Sequence, residues 1–458
     1  MKQKLIITIF GATGDLTARK LLPALTKLNK DRLIEEQTKI ICIGRRDYDH
    51  ASYLDSVRKI YPDNQDLDRI KPNIIYFNMS IEKQTDYFKL KELIDDESFE
   101  DTRKIYYLAV GPDLLEVISK NINASHLIEK KDINSSIVFE KPFGQDLESA
   151  KAINELLWGY FDEKQIYRID HYLGKEMIQN ILTVRFANKI FEDSWHNNSI
   201  KSIKYIVKET DGILNRGGYY DTSGALKDMV QSHLLQMLAL VSMDVPKSYQ
   251  SDDLKEEKVN VLKRIRYDKE SLIMGQYEGY LNEKNVNKES KTETFVFLKA
   301  FVDTPRFKGV PMYLLTGKKL DIKESVIIVE FEETAEQHKW HFPLKTNKLY
   351  IKIAPQDGIS LALNSKVPGL SDDVESVELE YCIACNSVGN MPEAYEKLLL
   401  DITKYHKRLF TRWDEIEYSW QLVDEIKQDF VASSKSLVTY KNFDELKKLI
   451  KEKTNEVF

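Results

Sequence analysis

The sequence predicts an α/β unit on a doubly wound parallel sheet, followed by a larger α+β unit with a mostly antiparallel sheet and helices. Three observations carry this expectation. Up to about residue 170, short apolar runs alternate with amphipathic helical patterns, the order of a parallel sheet covered on both faces. Beyond that point strand patterns follow one another without helices between them, as in an antiparallel sheet. A chain of 458 residues is also too long for a single core. The expected units are residues 1–170, which would bind a dinucleotide, and residues 171–458, which would bind substrate, carry the catalytic groups and oligomerise.

The first unit opens with a strand over residues 5–10. Leu16, Leu21, Leu22, Leu25 and Leu28 then recur at helical spacing. Further strands are expected at 40–43, 74–77, 105–110 and 137–140. In the second unit one helix is expected over 175–187. Another is expected over 222–243, with Asp221, Thr222 or Ser223 as its cap. Strand patterns cover 201–208, 294–302, 326–333, 348–354, 359–363 and 374–383. The turn Pro355-Gln356-Asp357-Gly358 makes the strands on either side of it a hairpin. The polar stretch 282–291 reads as a loop, and helices near 393–410, 414–432 and 443–453 close the chain.

Composition narrows the function. A hydrophobic share of 42% is that of an ordinary globular protein, and the formal net charge is -6. No general basic field is available for nucleic acid or an anionic membrane, so neither is expected as a partner. Any anionic ligand must be held by local clusters of cations. The apolar run after Met1-Lys2-Gln3-Lys4 is too short for a leader core or a membrane span, so a cytoplasmic protein is expected. With 3 cysteines there is no disulfide framework. Cys382 and Cys385 form a C-x-x-C inside a strand pattern without a second pair, which reads as two strand thiols. No metal is expected.

The strand at 5–10 runs into Gly11-Ala12-Thr13-Gly14-Asp15-Leu16 and then the leucine helix. In that context backbone N–H groups and a helix N-terminus can receive a pyrophosphate. A bare G-x-x-G is more often a turn without a ligand; its place at the head of a βαβ series reverses those odds. The end of the second strand reads Gly44-Arg45-Arg46-Asp47. Adjacent guanidiniums there suit the 2′-phosphate of NADP, and Asp47 leaves NAD open as well. The cofactor expected is NADP in a Rossmann-type domain.

A second cluster lies at Arg168-Ile169-Asp170-His171-Tyr172-Leu173-Gly174-Lys175-Glu176, where Asp170 and His171 read as a strand end. His171 and Lys175 can converge on a phosphate beside a helix start. His233 falls in the apolar stripe of the helix over 222–243, four residues from Met229. A histidine in such a stripe is more often a satisfied core residue than a catalyst.

These blocks, with Glu140-Lys141-Pro142-Phe143-Gly144, Arg216-Gly-Gly-Tyr-Tyr-Asp221, Met229-Val-Gln-Ser-His233-Leu-Leu-Gln236-Met237, Gly309-Val-Pro311 and Gly317-Lys318, closely resemble the glucose-6-phosphate dehydrogenase family. They occur in order and span essentially the whole chain. The resemblance implies that His233 is the general base and that Asp170 orients its imidazole. It implies that His171, Tyr172 and Lys175 hold the sugar's phosphate. Lys141, Glu209 and Asp228 would bind its hydroxyls, while Lys318 and Lys323 bring further positive charge to the substrate. Lys20 and Lys141 would stand at the cofactor, and Arg46 at its 2′-phosphate. An unperturbed imidazole, pKa about 6.5, suits removal of a hydroxyl proton near neutrality. The family's large sheet commonly forms a dimer interface, so a homodimer or homotetramer is expected.

There are departures from the family pattern. Thr210 stands for Pro, Asn215 for Gly, Phe307 for Trp, and Ala354 for a Gln that helps hold the sugar. They bear on affinity and sugar selectivity more than on reaction type. The competing readings are a dehydrogenase of another aldose phosphate or of the free sugar, and a catalytically silent NADP-sensing protein. A silent protein would be expected to lose the base or its orienter first, and both are present.

Overall fold

The computed structural model describes residues 3–62, 66–99, 101–342, 345–383, 393–433 and 435–458. Its internal contacts divide the chain into two compact units. The first comprises Met1–Gly174 and Pro392–Trp413, and the second Lys175–Met391 and Asp414–Phe458.

The first unit is built on a 6-stranded sheet of β1 (Leu5–Phe10), β2 (Lys39–Gly44), β3 (Ile74–Asn78), β4 (Arg103–Leu108), β5 (Ser135–Glu140) and β6 (Ile166–Ile169). The spatial order is β3-β2-β1-β4-β5-β6, and every neighbouring pair is parallel. This is the doubly wound order whose direction reverses between β1 and β4, so a ligand crevice forms beyond the carboxyl ends of those strands. Leu5, Ile7 and Ile9 enter one core cluster and Ile6 and Phe10 the other. That is why β1 is buried at every position and apolar except at Thr8, rather than alternating.

Helices Leu22–Lys30 and His50–Ile60 cover one face, and Gln84–Glu97, Leu115–Ala124 and Leu147–Tyr160 cover the other. A helix from late in the chain, Ala394–Thr403, completes the first face by burying Leu398, Leu399 and Ile402. Each such side chain contributes about 1.5–3 kcal/mol of burial. This helix was expected to run to residue 410. It stops at Thr403, and Tyr405 takes a left-handed φ of 61°.

Asp170 and His171, read from sequence as a strand end, lie beyond it. Asp170 Oδ1 accepts the Tyr172 N–H at 3.0 Å and its carbonyl accepts the Leu173 N–H at 3.0 Å. These local bonds divert the chain out of the ladder into a turn.

The second unit carries a 10-stranded sheet. Its strands are β7 (Ile200–Lys208), β8 (Ile265–Tyr267), β9 (Ile273–Tyr277), β10 (Phe295–Val302), β11 (Met312–Gly317), β12 (Glu324–Phe331), β13 (Lys348–Ala354), β14 (Gly358–Lys366), β15 (Val374–Cys382) and β16 (Val438–Tyr440). The order is β15-β14-β13-β12-β7-β11-β10-β9-β16, with β8 on β10. Pairing is antiparallel except for β7 with β11 and β9 with β16. The expected hairpin at Pro355–Gly358 is the β13–β14 pair. The sequence reading passed over β8, β9, β11 and β16. β11 is buried at every position and so has no alternation to betray it, while β8 and β16 are three residues each.

The long helix expected over 222–243 is three pieces. Helix Gly217–Ala225 breaks at Gly224 (φ 67°, ψ 174°), a π-helix runs Leu226–Leu234, and an α-helix follows at Leu235–Ser242. None of the three cap candidates starts the helical run. The Leu226 N–H is accepted by the buried Glu293 carboxylate at 2.8 Å, and the Ala225 N–H by the Glu293 carbonyl at 2.9 Å. A Cβ on Gly224 would sit 2.4 Å from that carboxylate, so glycine is required there. Asp221 instead accepts from Tyr280 and Asn287.

The far end of this run is closed by buried donors. Arg185 donates to the carbonyls of Leu240 (2.8 Å) and Met243 (2.7 Å), and Trp195 to that of Val241 (2.8 Å). They satisfy carbonyls that have no partner within the helix, and the charge suits a helix C-terminus. From the first turn of the last helix Gln236 accepts from Lys258 (2.8 Å). Lys258 is itself 2.5 Å from Glu415, with both charged side chains at most 2% exposed.

Cys382 is disulfide-bonded rather than a thiol, and Cys385 lies outside the described residues. Among the described residues no helix is long and apolar enough to cross a membrane.

Lys258→Met should destabilise the second unit by about 3–5 kcal/mol, because it removes the ammonium 2.5 Å from the buried Glu415 carboxylate. Lys258→Met combined with Glu415→Leu should recover most of the loss. Urea denaturation of the three proteins checks this. Equal midpoints for the single and double variants would contradict it.

Candidate active site

In the first unit the Gly11–Gly14 turn is made by backbone. Gly11 adopts φ 88°, and a Cβ there would meet the Ala109 carbonyl oxygen at 2.2 Å. The Gly14 N–H bonds the Gly11 carbonyl (3.0 Å), and the buried Ala12 bonds the end of β2 through Ile43 O (3.0 Å). The chain enters its helical run at once, with Leu16 leading a π-turn Thr17–Leu21. Gly11 and Thr13, together with Gly44, Arg45, Ser80 and Val110, line a cavity of about 400 Å³ at the carboxyl ends of β1, β2 and β4.

Arg45 and Arg46 are both exposed, and among the described residues neither pairs with a carboxylate. The loop carrying them is fixed by Tyr76 and Asn78, which donate to the Arg46 carbonyl at 2.7 and 2.8 Å. A glycine turn that a side chain would fill, beside two unneutralised guanidiniums, fits the phosphates of a dinucleotide. Asp15 is tied to Arg19 (2.6 Å), and Lys20 to Glu393 (2.7 Å).

At the end of β5 the sequence Glu140-Lys141-Pro142 carries a cis Lys141–Pro142 peptide. The Glu140 carboxylate accepts from Tyr107 at 2.5 Å and from Tyr395 at 3.1 Å. Burial pushes it up to about 7, against the opposing pull of both hydroxyls and of Lys141. Asp170 stands close enough to raise it further. Asp170 is itself 2% exposed, and the His171 and Tyr172 rings that follow meet edge to face at 5.2 Å. Gly174 is required because a Cβ would lie 2.7 Å from the Ala394 carbonyl oxygen.

In the second unit Lys175 is the residue before helix Glu176–Phe186, with φ -71° and ψ 138°. Asp357, in the β13–β14 turn, has its carboxyl raised by burial and pulled back by the Lys175 charge. Parallel pairing of β7 with β11 matches Lys208 to Gly317, so the next residues, Glu209 and Lys318, emerge side by side and form an ion pair. Lys318 is buried, its ammonium 5.1 Å from the centre of the Tyr220 ring, and Lys323 is exposed.

Asp228 and His233 lie on the π-helix and are buried. Hydrogen bonds running i to i+5 widen the helix, so residues five apart, such as Asp228 and His233, come closer to one face than they would in an α-helix.

Within the first unit the structure thus brings Gly11, Thr13 and Arg45 to one cavity, and within the second it pairs Glu209 with Lys318. Sequence reasoning missed Tyr107, Tyr395, Glu293 and Asp357. Asp357 was in plain sight in the hairpin turn, but only strand pairing places it by Lys175. Tyr395 and Glu293 act across long sequence separations and left no local signal.

A family model for the glucose-6-phosphate dehydrogenase NAD binding domain matches residues 8–180, and one for its C-terminal domain matches residues 182–455. A glucose-6-phosphate 1-dehydrogenase of Streptococcus pneumoniae is 36% identical, over 96% of this chain and 93% of its own. One from Bacillus subtilis is 37% identical, over 94% and 92%. A solved glucose-6-phosphate dehydrogenase in complex with glucose-6-phosphate aligns at TM-score 0.89 and 30% identity, over 96% of this chain and 94% of that one.

The raised Glu140 carboxyl sets a pH dependence. Between the ordinary value of 4.5 and about 7, the folded protein keeps a proton that the unfolded chain has lost. Stability therefore falls as pH rises through that window, by about 3 kcal/mol in all. Glu140→Gln keeps an acceptor for both tyrosines and has no proton to lose. Its melting temperature relative to wild type should rise by several degrees between pH 5 and 8. Parallel curves would refute the assignment.

Proposed function

This chain belongs to the glucose-6-phosphate dehydrogenase family, and from that premise we propose that it oxidises the C1 hydroxyl of D-glucose 6-phosphate with NADP as oxidant. The product is 6-phosphoglucono-1,5-lactone. The observation that carries the cofactor reading is the cavity over the Gly11–Gly14 turn, with Arg45 in its wall and Arg46 beside it. Both guanidiniums are available to a 2′-phosphate, for which an NAD site would instead offer a carboxylate to the ribose. When bound, the nicotinamide accepts hydride from C1.

His233 takes the proton of the C1 hydroxyl, and Asp170 holds its imidazole in the accepting tautomer, as in the histidine–carboxylate part of a catalytic triad. His171, Tyr172 and Lys175 hold the sugar's phosphate. Lys175 suits this because it sits where a helix begins, so N–H groups and ammonium can act together. Lys141, Glu209 and Asp228 hold the sugar's hydroxyls. Lys318 and Lys323 add positive charge, Lys318 from within its ion pair with Glu209. Lys20 and Lys141 serve the cofactor. We place the enzyme in the cytoplasm as a homodimer or homotetramer. In support of association, the edge strand β15 exposes Leu379 and Tyr381 by 60% and 53%.

Spectrophotometric assay of the purified chain with glucose 6-phosphate, other hexose phosphates and glucose, each with NADP and NAD, tests this reading. Turnover should be greatest with glucose 6-phosphate and NADP; a preference for another sugar would overturn the substrate assignment. His233→Asn should lower kcat by roughly 10²–10⁴ with KM little changed, since the base acts in the transition state. Activity within a few-fold of wild type would reject His233 as the base. Arg45→Ala with Arg46→Ala should raise the KM for NADP far more than that for NAD. Equal effects would place the 2′-phosphate elsewhere.

A further inference from the structure

The first unit has a second cavity, of about 430 Å³, as large as the one over the glycine turn. It lies at the opposite edge of the sheet, against the amino ends of β1 and β4 and the end of helix Ala394–Thr403. Arg103, the first residue of β4, stands in its wall and is 1% exposed. Its Nη atoms donate to the carbonyls of Ile133 (3.4 Å), Asn134 (3.1 Å) and Ile402 (2.9 Å), and the guanidinium also bonds the Tyr167 side chain. Its Nε is buried and has no hydrogen-bond partner. Among the described residues no carboxylate pairs with it. Burial pushes the guanidinium below its ordinary value, with Tyr167, Tyr405 and Asp132 opposing.

A buried cation satisfied by neutral groups alone is costly, and a buried donor without a partner calls for an explanation. The rest of the wall suggests one. Lys404 and His406 bring further basic groups to the cavity, against the single carboxylate of Glu35. His406 is held 3.3 Å from Asp401. The Tyr405 ring lies 4.0 Å from the Arg103 guanidinium and is 39% exposed. Its left-handed backbone (φ 61°) is uncommon for a bulky residue, and its hydroxyl is anchored at 2.9 Å to Asn134. Leu33 and Ile34 supply the apolar side.

We propose that this cavity binds a small organic anion, with its phosphate or carboxylate head toward Arg103, Lys404 and His406 and a flat apolar body against Tyr405, Leu33 and Ile34. The volume falls within the range of small-molecule sites, and a single charged group fixing an apolar body is their usual chemistry. The anion would neutralise the buried guanidinium that the fold leaves without a counter-ion.

Calorimetric titration of the full chain with phenyl phosphate, benzoate and inorganic phosphate tests the site, with glucose 6-phosphate saturating so that its own phosphate site is filled. Wild type should show a saturable site for phenyl phosphate or benzoate, and which of the two binds tells whether the head is a phosphate or a carboxylate. Lys404→Glu should weaken that site about tenfold or more, while the KM values for glucose 6-phosphate and NADP stay within about twofold. Tyr405→Ala should weaken the two aromatic probes and leave inorganic phosphate unaffected. No saturable site in wild type, or unchanged affinity in both variants, would overturn the proposal and make Arg103 a purely structural cation.

Discussion

A parallel sheet buried on both faces leaves its chain two edges at which polar groups can meet water, and the first unit is organised by that constraint. β1 gives successive side chains to opposite cores, so nothing along its length is available for chemistry. Function is pushed to the strand ends. At the carboxyl edge lie the Gly11 turn, Arg45 and Glu140, and at the amino edge lie Arg103 and the second cavity. Closing the faces takes a helix from nearly four hundred residues along the chain. The same helix Ala394–Thr403 buries Leu398 and Ile402 in the core, brings Tyr395 to Glu140, and ends against Arg103.

The second unit solves a different problem: holding a buried ionisable helix in an unusual winding. A π-helix is less favourable than an α-helix, and such turns are frequent at functional sites. Here the run that contains it is held at both ends. Glu293 takes the first N–H groups behind the break at Gly224, and Arg185 and Trp195 take the last carbonyls. Gln236, Lys258 and Glu415 pin the adjoining α-helix Leu235–Ser242. These groups surround Asp228 and His233 in sequence and fix their helix.

Charges assigned to substrate are held against opposite charges within the same unit: Glu209 against Lys318, and Lys175 near Asp357. Such pairing keeps buried ions tolerable before a ligand arrives. The guanidiniums of Arg45 and Arg46 differ, being exposed and without carboxylate partners. Solvation suffices for them, so they need no partner while they wait.

Periodicity and local motif alone determined a great deal. Apolar runs of unbroken β character gave the parallel sheet, the Gly11–Gly14 turn gave the crevice, and the Pro355–Gly358 turn gave a hairpin found at β13–β14. The family blocks pointed to His233, Asp170 and Lys175 as site residues, because motifs in contiguous sequence can be read without a fold. Tertiary structure decided what no local window contains. The chain after β6 leaves the ladder at Asp170 because a side chain competes with the sheet for backbone N–H groups. The helix over 222–243 is broken and rewound because a carboxylate 67 residues from Leu226 takes its N–H, where Asp221 was the local candidate. β11 escaped notice because, buried on every residue, it does not alternate, and Tyr313, Thr316 and Gly317 break up its apolar run. Hydrogen-bond partners and desolvation are set by what folds alongside, and those neighbours come from anywhere in the chain.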